Sequence, residues 1–65
     1  MKLVIEIEMD NAAFEENGSG YEAGRILNQL RKNFDIPDLS EGDGGDLYDI
    51  NGNKVGFWHV AKEQA

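Results

Sequence analysis

The sequence predicts an α+β fold: a single small β-α-β-β domain, one helix packed on a three-stranded sheet with a C-terminal β-hairpin. Three features predict it. Residues 2–9 alternate apolar and polar side chains, residues 19–34 carry one apolar helical face, and Asn51-Gly52 stands between two short apolar runs. Residues 1–65 hold no internal repeat and no linker, so they read as one domain.

The first strand follows from strict alternation. Leu3, Ile5, Ile7 and Met9 point one way and Lys2, Val4, Glu6 and Glu8 the other, the period-2 pattern of a half-buried strand. Residues 10–18 are polar apart from Ala13 and Phe14 and read as a loop that Phe14 tacks to the core. Ser19-Gly-Tyr-Glu22 has the spacing of a capping box, with Ser19 as N-cap and Glu22 reaching back to it. Ala23, Ile26, Leu27, Leu30 and Phe34 then fall on one helical face. Glu22 in the first turn and Arg31 and Lys32 in the last complement the helix dipole. Gly24 is a weak helix former whose missing side chain would let the helix approach the sheet. Pro37 ends the helical pattern.

Residues 38–45 hold three glycines among acids and read as a flexible loop. Residues 47–50 and 54–60 read as strands joined by a type I′ turn at Asn51-Gly52, with Asp49 opposite Lys54 and Tyr48 opposite Val55. A three-residue loop through Asn53 would shift that register. The two-residue turn puts Ile50, Tyr48, Val55 and Phe57 on one face and Leu47, Trp58 and Val60 on the other. Residues 61–65 are expected to fray. The expected core is Leu3, Ile5, Ile7, Ala23, Ile26, Leu27, Leu30, Phe34 and part of the hairpin, so that Leu27→Ala would cost ~2–5 kcal/mol. Leu47, Trp58, Val60 and Val4 would form an apolar patch on the sheet face the helix leaves open.

The charges sort into blocks. Residues 1–22 carry six acids and one base, residues 23–34 three bases and no acid, and residues 35–49 six acids and no base. The net charge is −7. A chain so acidic is repelled by phosphate backbones and anionic membranes and attracted to basic protein surfaces; acidity that only maintains solubility is the plainer reading. There is no cysteine, which excludes disulfides and thiolate metal sites, and one histidine excludes a multi-histidine site within one chain. No apolar run suits a signal peptide or a membrane span, so a soluble, cytoplasmic protein is expected.

The motifs that could carry chemistry are weak. Asp49-Ile-Asn-Gly-Asn53 starts like a calcium loop, but Lys54 then stands where glycine belongs and Val60 where the bidentate glutamate belongs. Glu41, Asp43 and Asp46 form a looser acidic group. Glu6 and Glu8 share a solvated strand face, where both stay ionised and blunt a sheet edge. His59 has no evident nucleophile to activate: Ser19 is assigned to a cap and Ser40 to a loop. The glycines at 42, 44 and 45 lack the lysine and helix of a phosphate loop. Arg25, Arg31 and Lys32 without interleaved aromatics make a poor nucleic-acid footprint. Of Phe57 and Trp58, Phe57 is expected inside and Trp58 partly outside, where it would serve as a binding hot spot.

The opening Val4-Ile-Glu-Ile-Glu-Met-Asp-Asn-Ala-Ala-Phe14 and the ending Leu47-Tyr-Asp-Ile-Asn-Gly-Asn-Lys-Val-Gly56 resemble small uncharacterised proteins encoded by phages and prophages. The resemblance covers most of the chain, but not the acidic loop or Phe57-Trp-His59. It implies an accessory gene product that modulates a host or phage protein, and it brings no catalytic or ligand residues with it.

The expected function is therefore a non-enzymatic, acidic protein-binding module without cofactor or metal. Its expected contact residues are Trp58, Val60, Leu47, Glu6 and Glu8, and its partner a protein with a basic surface. The alternatives are an acidic nucleic-acid-mimicking inhibitor of a host defence nuclease and, third, a small enzyme using His59. For self-association the expectation is a monomer at low salt, with weak dimerisation as salt screens the charge.

Overall fold

The computed structural model describes residues 1–62. The chain runs β1 (Lys2–Ile7), α1 (Ala12–Asn17), α2 (Ser19–Asn33), β2 (Gly44–Tyr48) and β3 (Lys54–Ala61). The three strands form one antiparallel sheet in the order β1-β3-β2, so β3 is central and β1 and β2 are edges. The α+β class and the C-terminal hairpin are present. The order is β-α-α-β-β, however, with a second helix in place of the expected loop.

That helix forms for local reasons. Asn11 is its N-cap, with Oδ1 accepting a 3.1 Å hydrogen bond from the Ala13 N–H. Ala12, Ala13, Glu15 and Glu16 are good helix formers. Gly18 at φ 90° breaks the path and starts α2 at a new angle. Gly18, not Ser19, is therefore the N-cap of α2, and no side chain caps it. Glu22 does not reach back to residue 19 as a capping box requires; its carboxylate turns inward.

The hairpin differs from the predicted type I′ turn because Asn51 does not adopt positive φ; in the turn only Gly52 does, at 84°. Gly52 N–H donates to the Asp49 carbonyl and Asp49 N–H to the Asn53 carbonyl, which leaves residues 50–52 as a three-residue loop. The register runs Leu47↔Gly56 and then Tyr48↔Lys54, so Val55 is one extra residue on β3. This bulge shifts the phase of side chains. Val55 joins Leu47, Phe14, Ile26 and Leu30 in the core, while Lys54 turns to the open face and pairs with Asp46 at 3.1 Å.

The faces are therefore reassigned. Leu47 lies buried under the helices, Val60 is buried on the same side of the sheet, and Trp58 packs half-buried against Phe34, ring centroids 4.9 Å apart and edge to face. Gly45 makes room for the Trp58 indole, whose Nε1 would lie 2.8 Å from a Cβ there. Phe57 stands on the open face and stacks on His59 at 5.5 Å. The expected order of Phe57 and Trp58 is thus reversed. The apolar patch expected from Leu47, Trp58 and Val60 on the open face is absent, because those side chains fill the covered one.

The core is smaller and placed differently from the predicted one. Phe14 and Ile26 are its largest fully buried side chains. Ile7, Ala23 and Phe34 contribute from its margin. Leu27 is exposed, because Ile26 and Leu30 set the inward direction of α2. Leu3 and Ile5 share the helix side of the sheet but remain 44% and 39% exposed, since α2 lies nearest β2 and its cover stops short of β1. Gly24 faces open space rather than the sheet.

Residues 40–45 are ordered by bonds, not a free loop. Asp43 accepts the Ser40 N–H at 2.9 Å, and Gly42 N–H and Asp43 C=O both bond to Val60. Gly44 and Gly45 already belong to β2. Ala61 ends β3 instead of fraying, and the rest of that expectation, residues 63–65, falls outside the described residues.

Candidate functional site

The most organised polar region joins the α1 N-terminus, the first half of α2 and the hairpin loop. It is built on two carboxylates that folding buries: Glu22 is 2% exposed and Asp49 4%. A buried carboxylate needs hydrogen-bond donors, and each of these has them on both oxygens.

Glu22 takes a forked pair from Arg25, Nε to Oε1 at 2.8 Å and Nη2 to Oε2 at 3.0 Å. Its Oε2 also accepts the Ile50 N–H at 2.8 Å. Arg25 continues to the Tyr48 carbonyl at 3.3 Å. This ion pair therefore ties α2 to the hairpin across 28 residues of sequence.

Asp49 holds the loop from within. Oδ1 accepts the N–H groups of Asn51 at 2.9 Å and Asn53 at 2.8 Å. Oδ2 accepts the amides of Asn11 at 2.7 Å and Asn53 at 3.2 Å. Asn11 thus caps α1 with its oxygen and grips the hairpin with its nitrogen. The residues that resemble the start of a calcium loop bring N–H donors to Asp49, which is the wiring of a turn. Asp43 and Asp46 are likewise engaged, with the Ser40 amide and with Lys54. Among the described residues no group of three or more His, Cys, Asp or Glu side chains is placed to hold a metal ion.

The electrostatics follow from these bonds. The Arg25 hydrogen bond holds the Glu22 carboxyl below its ordinary pKa against the opposing effect of burial, and Glu22 raises Arg25 in return. Burial works to raise Asp49, but the donors from Asn53, Asn11 and Asn51 outweigh it and hold it low. Both acids therefore stay ionised at neutral pH and act as anchors.

Depressed carboxylate pKa values have a stability consequence of definite sign. The unfolded chain takes up protons near the ordinary carboxylate value of ~4 while the folded chain still resists. Stability contributed by Glu22 and Asp49 is thus full above that pH and lost as pH falls through the lower folded values. Asp49→Asn should remove part of this loss. It should also lower the neutral-pH melting temperature by about 5–10 °C, because the new amide presents N–H groups to the amides of Asn11 and Asn53. Thermal melts of both proteins between pH 7 and pH 3 check both statements; equal acid sensitivity would remove Asp49 from the account.

Around this network the surface is apolar. Asn17, Tyr21, Glu22, Arg25 and Ile50 line a shallow groove of about 420 Å³. Tyr21 is 85% exposed and Ile50 58%, and Tyr48 follows as an exposed neighbour on the hairpin. The sequence held little cue to this site: a tyrosine in the first turn of a helix and an apolar residue at a hairpin tip are each ordinary on their own. What joins them is the turning-in of Glu22, which local pattern alone assigned to a cap.

The residues expected to bind do not gather at this groove. Leu47 and Val60 are in the core and Trp58 is half-covered by Phe34. Glu6 and Glu8 are exposed at β1 and beyond its end. His59 stacks on Phe57, away from Glu22 and Asp49. Arg31 and Lys32 are exposed at the end of α2, while Arg25 is committed to Glu22.

No protein-family model matches this chain, and no curated protein or solved structure is significantly similar to it.

Proposed function

We propose that this chain is a non-enzymatic protein-binding module whose contact surface is the groove between Tyr21 and Ile50. The observation that carries the reading is the pairing of two large exposed side chains with a rigid base. Tyr21 and Ile50 stand in solvent, yet the backbones that bear them are locked by Glu22, Arg25 and Asp49. Aromatic and aliphatic anchors beside an arginine, on a backbone already fixed, suit a binding hot spot, because little backbone freedom remains to be lost on association.

The occupant is an apolar side chain of a partner with a basic rim. Glu15, Glu16 and the net charge of −7 would attract such a rim and speed encounter. The resemblance to phage-encoded proteins fits a modulator of a host or phage protein. An acidic decoy for nucleic acid is the weaker reading, because Glu22, Asp43, Asp46 and Asp49 direct their carboxylates to internal partners.

Affinity capture from a bacterial lysate tests it, with the parent chain and a Tyr21→Ala/Ile50→Ala variant immobilised side by side. The reading is supported by a basic protein held by the parent, lost by the variant, and released as salt rises. Capture of the same proteins by both chains removes the groove from the interface. A captured nuclease whose DNA is displaced equally by both would favour the decoy.

A further inference from the structure

β1 is an edge strand with one side unpaired. Its chemistry on that side follows from register. Glu8 N–H donates to the Val55 carbonyl, and the pairs Glu6↔Phe57, Val4↔His59 and Lys2↔Ala61 continue the same parity. The N–H and C=O groups of residues 2, 4 and 6 therefore turn to β3, and those of Leu3, Ile5 and Ile7 turn to the free edge. The side chains of Leu3 and Ile5, both exposed, lie on the helix side, where α2 gives little cover. The domain is accordingly open for its length. Its radius of gyration is 12.9 Å, against about 10.7 Å for a compact chain of this size.

We propose that a second copy of this chain pairs with β1 in antiparallel fashion about a two-fold axis at Val4, joining two three-stranded sheets into one of six. This interface is separate from the groove at Tyr21 and does not depend on it. Charge complementarity selects both occupant and register. About Val4, Lys2 of each copy falls opposite Glu6 of the other, giving two cross-strand ion pairs on the open face. Leu3 falls opposite Ile5 on the helix side, so the two exposed apolar side chains cover each other twice over. Leu3 and Ile5 are also the residues whose outward backbone groups would bond across the axis.

Other arrangements meet opposition. An axis at Glu6 places the Glu6 carboxylates face to face, and an axis at Lys2 does the same with ammonium groups. An axis at Ile5 also sets Lys2 opposite Glu8, but Glu8 lies beyond the end of β1, and it puts Val4 against Glu6 within the strand. Pairing of β1 with the other edge would build open filaments rather than a closed dimer. That edge is also blunted by the β3 bulge beside it and by charged Asp46. Lys2 and Glu6 thus act as a register key.

Sedimentation at about 0.15 M salt, where the screening length is ~8 Å, tests the proposal on the 65-residue chain. The parent is expected to dimerise. Glu6→Lys moves the net charge from −7 to −5, which by net repulsion alone would tighten a dimer. Here it sets Lys2 against a new cation and should weaken the dimer about tenfold. Lys2→Glu should also weaken it, and the double exchange should restore the parent value. The chain has no cysteine, so single substitutions can locate the axis. Val4→Cys should cross-link fastest, because its non-hydrogen-bonded pair brings Cα atoms to ~4.5 Å, within disulfide reach. A parent that stays monomeric at the highest attainable concentration overturns the proposal. So does a Glu6→Lys dimer as tight as the parent's, or faster cross-linking through Leu3→Cys or Ile5→Cys. All substituted positions except Val4 are exposed, and circular dichroism confirms that each variant is folded before it is compared.

Discussion

Gly56→Ala is expected to destabilise the domain strongly. Gly56 sits on the central strand opposite Ile7 of β1. A Cβ there would overlap the Glu6 carbonyl oxygen and lie 2.9 Å from its carbon and 3.0 Å from the Ile7 Cα. All three are backbone atoms, so no side-chain rotation relieves the clash; β1 must move away from β3. Overpacking against backbone belongs at the upper end of its usual cost, about 3 kcal/mol. A chain of this length has only about 3–10 kcal/mol in total. Gly24→Ala is the matched control. Its Cβ meets nothing within 4 Å, and alanine in a helix interior gains up to about 1 kcal/mol over glycine. Urea titrations followed by circular dichroism should move in opposite directions for the two variants. A Gly56→Ala protein with the parent's midpoint would mean that β1 does not pair with β3 in this register.

Phe14→Ala should cost about 3–5 kcal/mol, the range for removing a buried phenyl ring. Phe14 is fully buried and contacts elements distant in sequence, packing with Ile26, Leu30, Leu47 and Val55. Its loss therefore opens a cavity between α1, α2 and the hairpin at once. Leu27→Ala, by contrast, should change stability by no more than about 0.5 kcal/mol, since Leu27 is exposed. Chemical denaturation of the two variants separates this core from the one helical periodicity suggests. A Leu27→Ala loss as large as that of Phe14→Ala would return Leu27 to the interior.

Much of the fold was legible in local pattern. Alternation marked β1, the spacing of Ile26, Leu30 and Phe34 marked α2, and Phe14 was expected to tack residues 10–18 to the core. The misreadings share a cause. α1 is six residues long, too short for periodicity to register, although Asn11 and the two alanines after it were a usable signal. The groove at Tyr21 was hidden because Glu22 has two competing local and long-range uses, and the Ile50 N–H that decides between them is 28 residues away.

What the sequence determined by itself is the class of each long element and the acidic balance of −7, because periods of 2 and 3.6 and net charge are properties of neighbouring residues or of composition. Which face of the sheet became the interior was decided only in three dimensions. One extra residue at Val55 shifts the phase of β3 and carries Val55 inward beside Leu47. The missing side chain of Gly45 leaves space that the Trp58 indole fills. Neither a bulge nor a vacancy opposite an aromatic ring exists until two strands are paired, and so neither can be read along one strand.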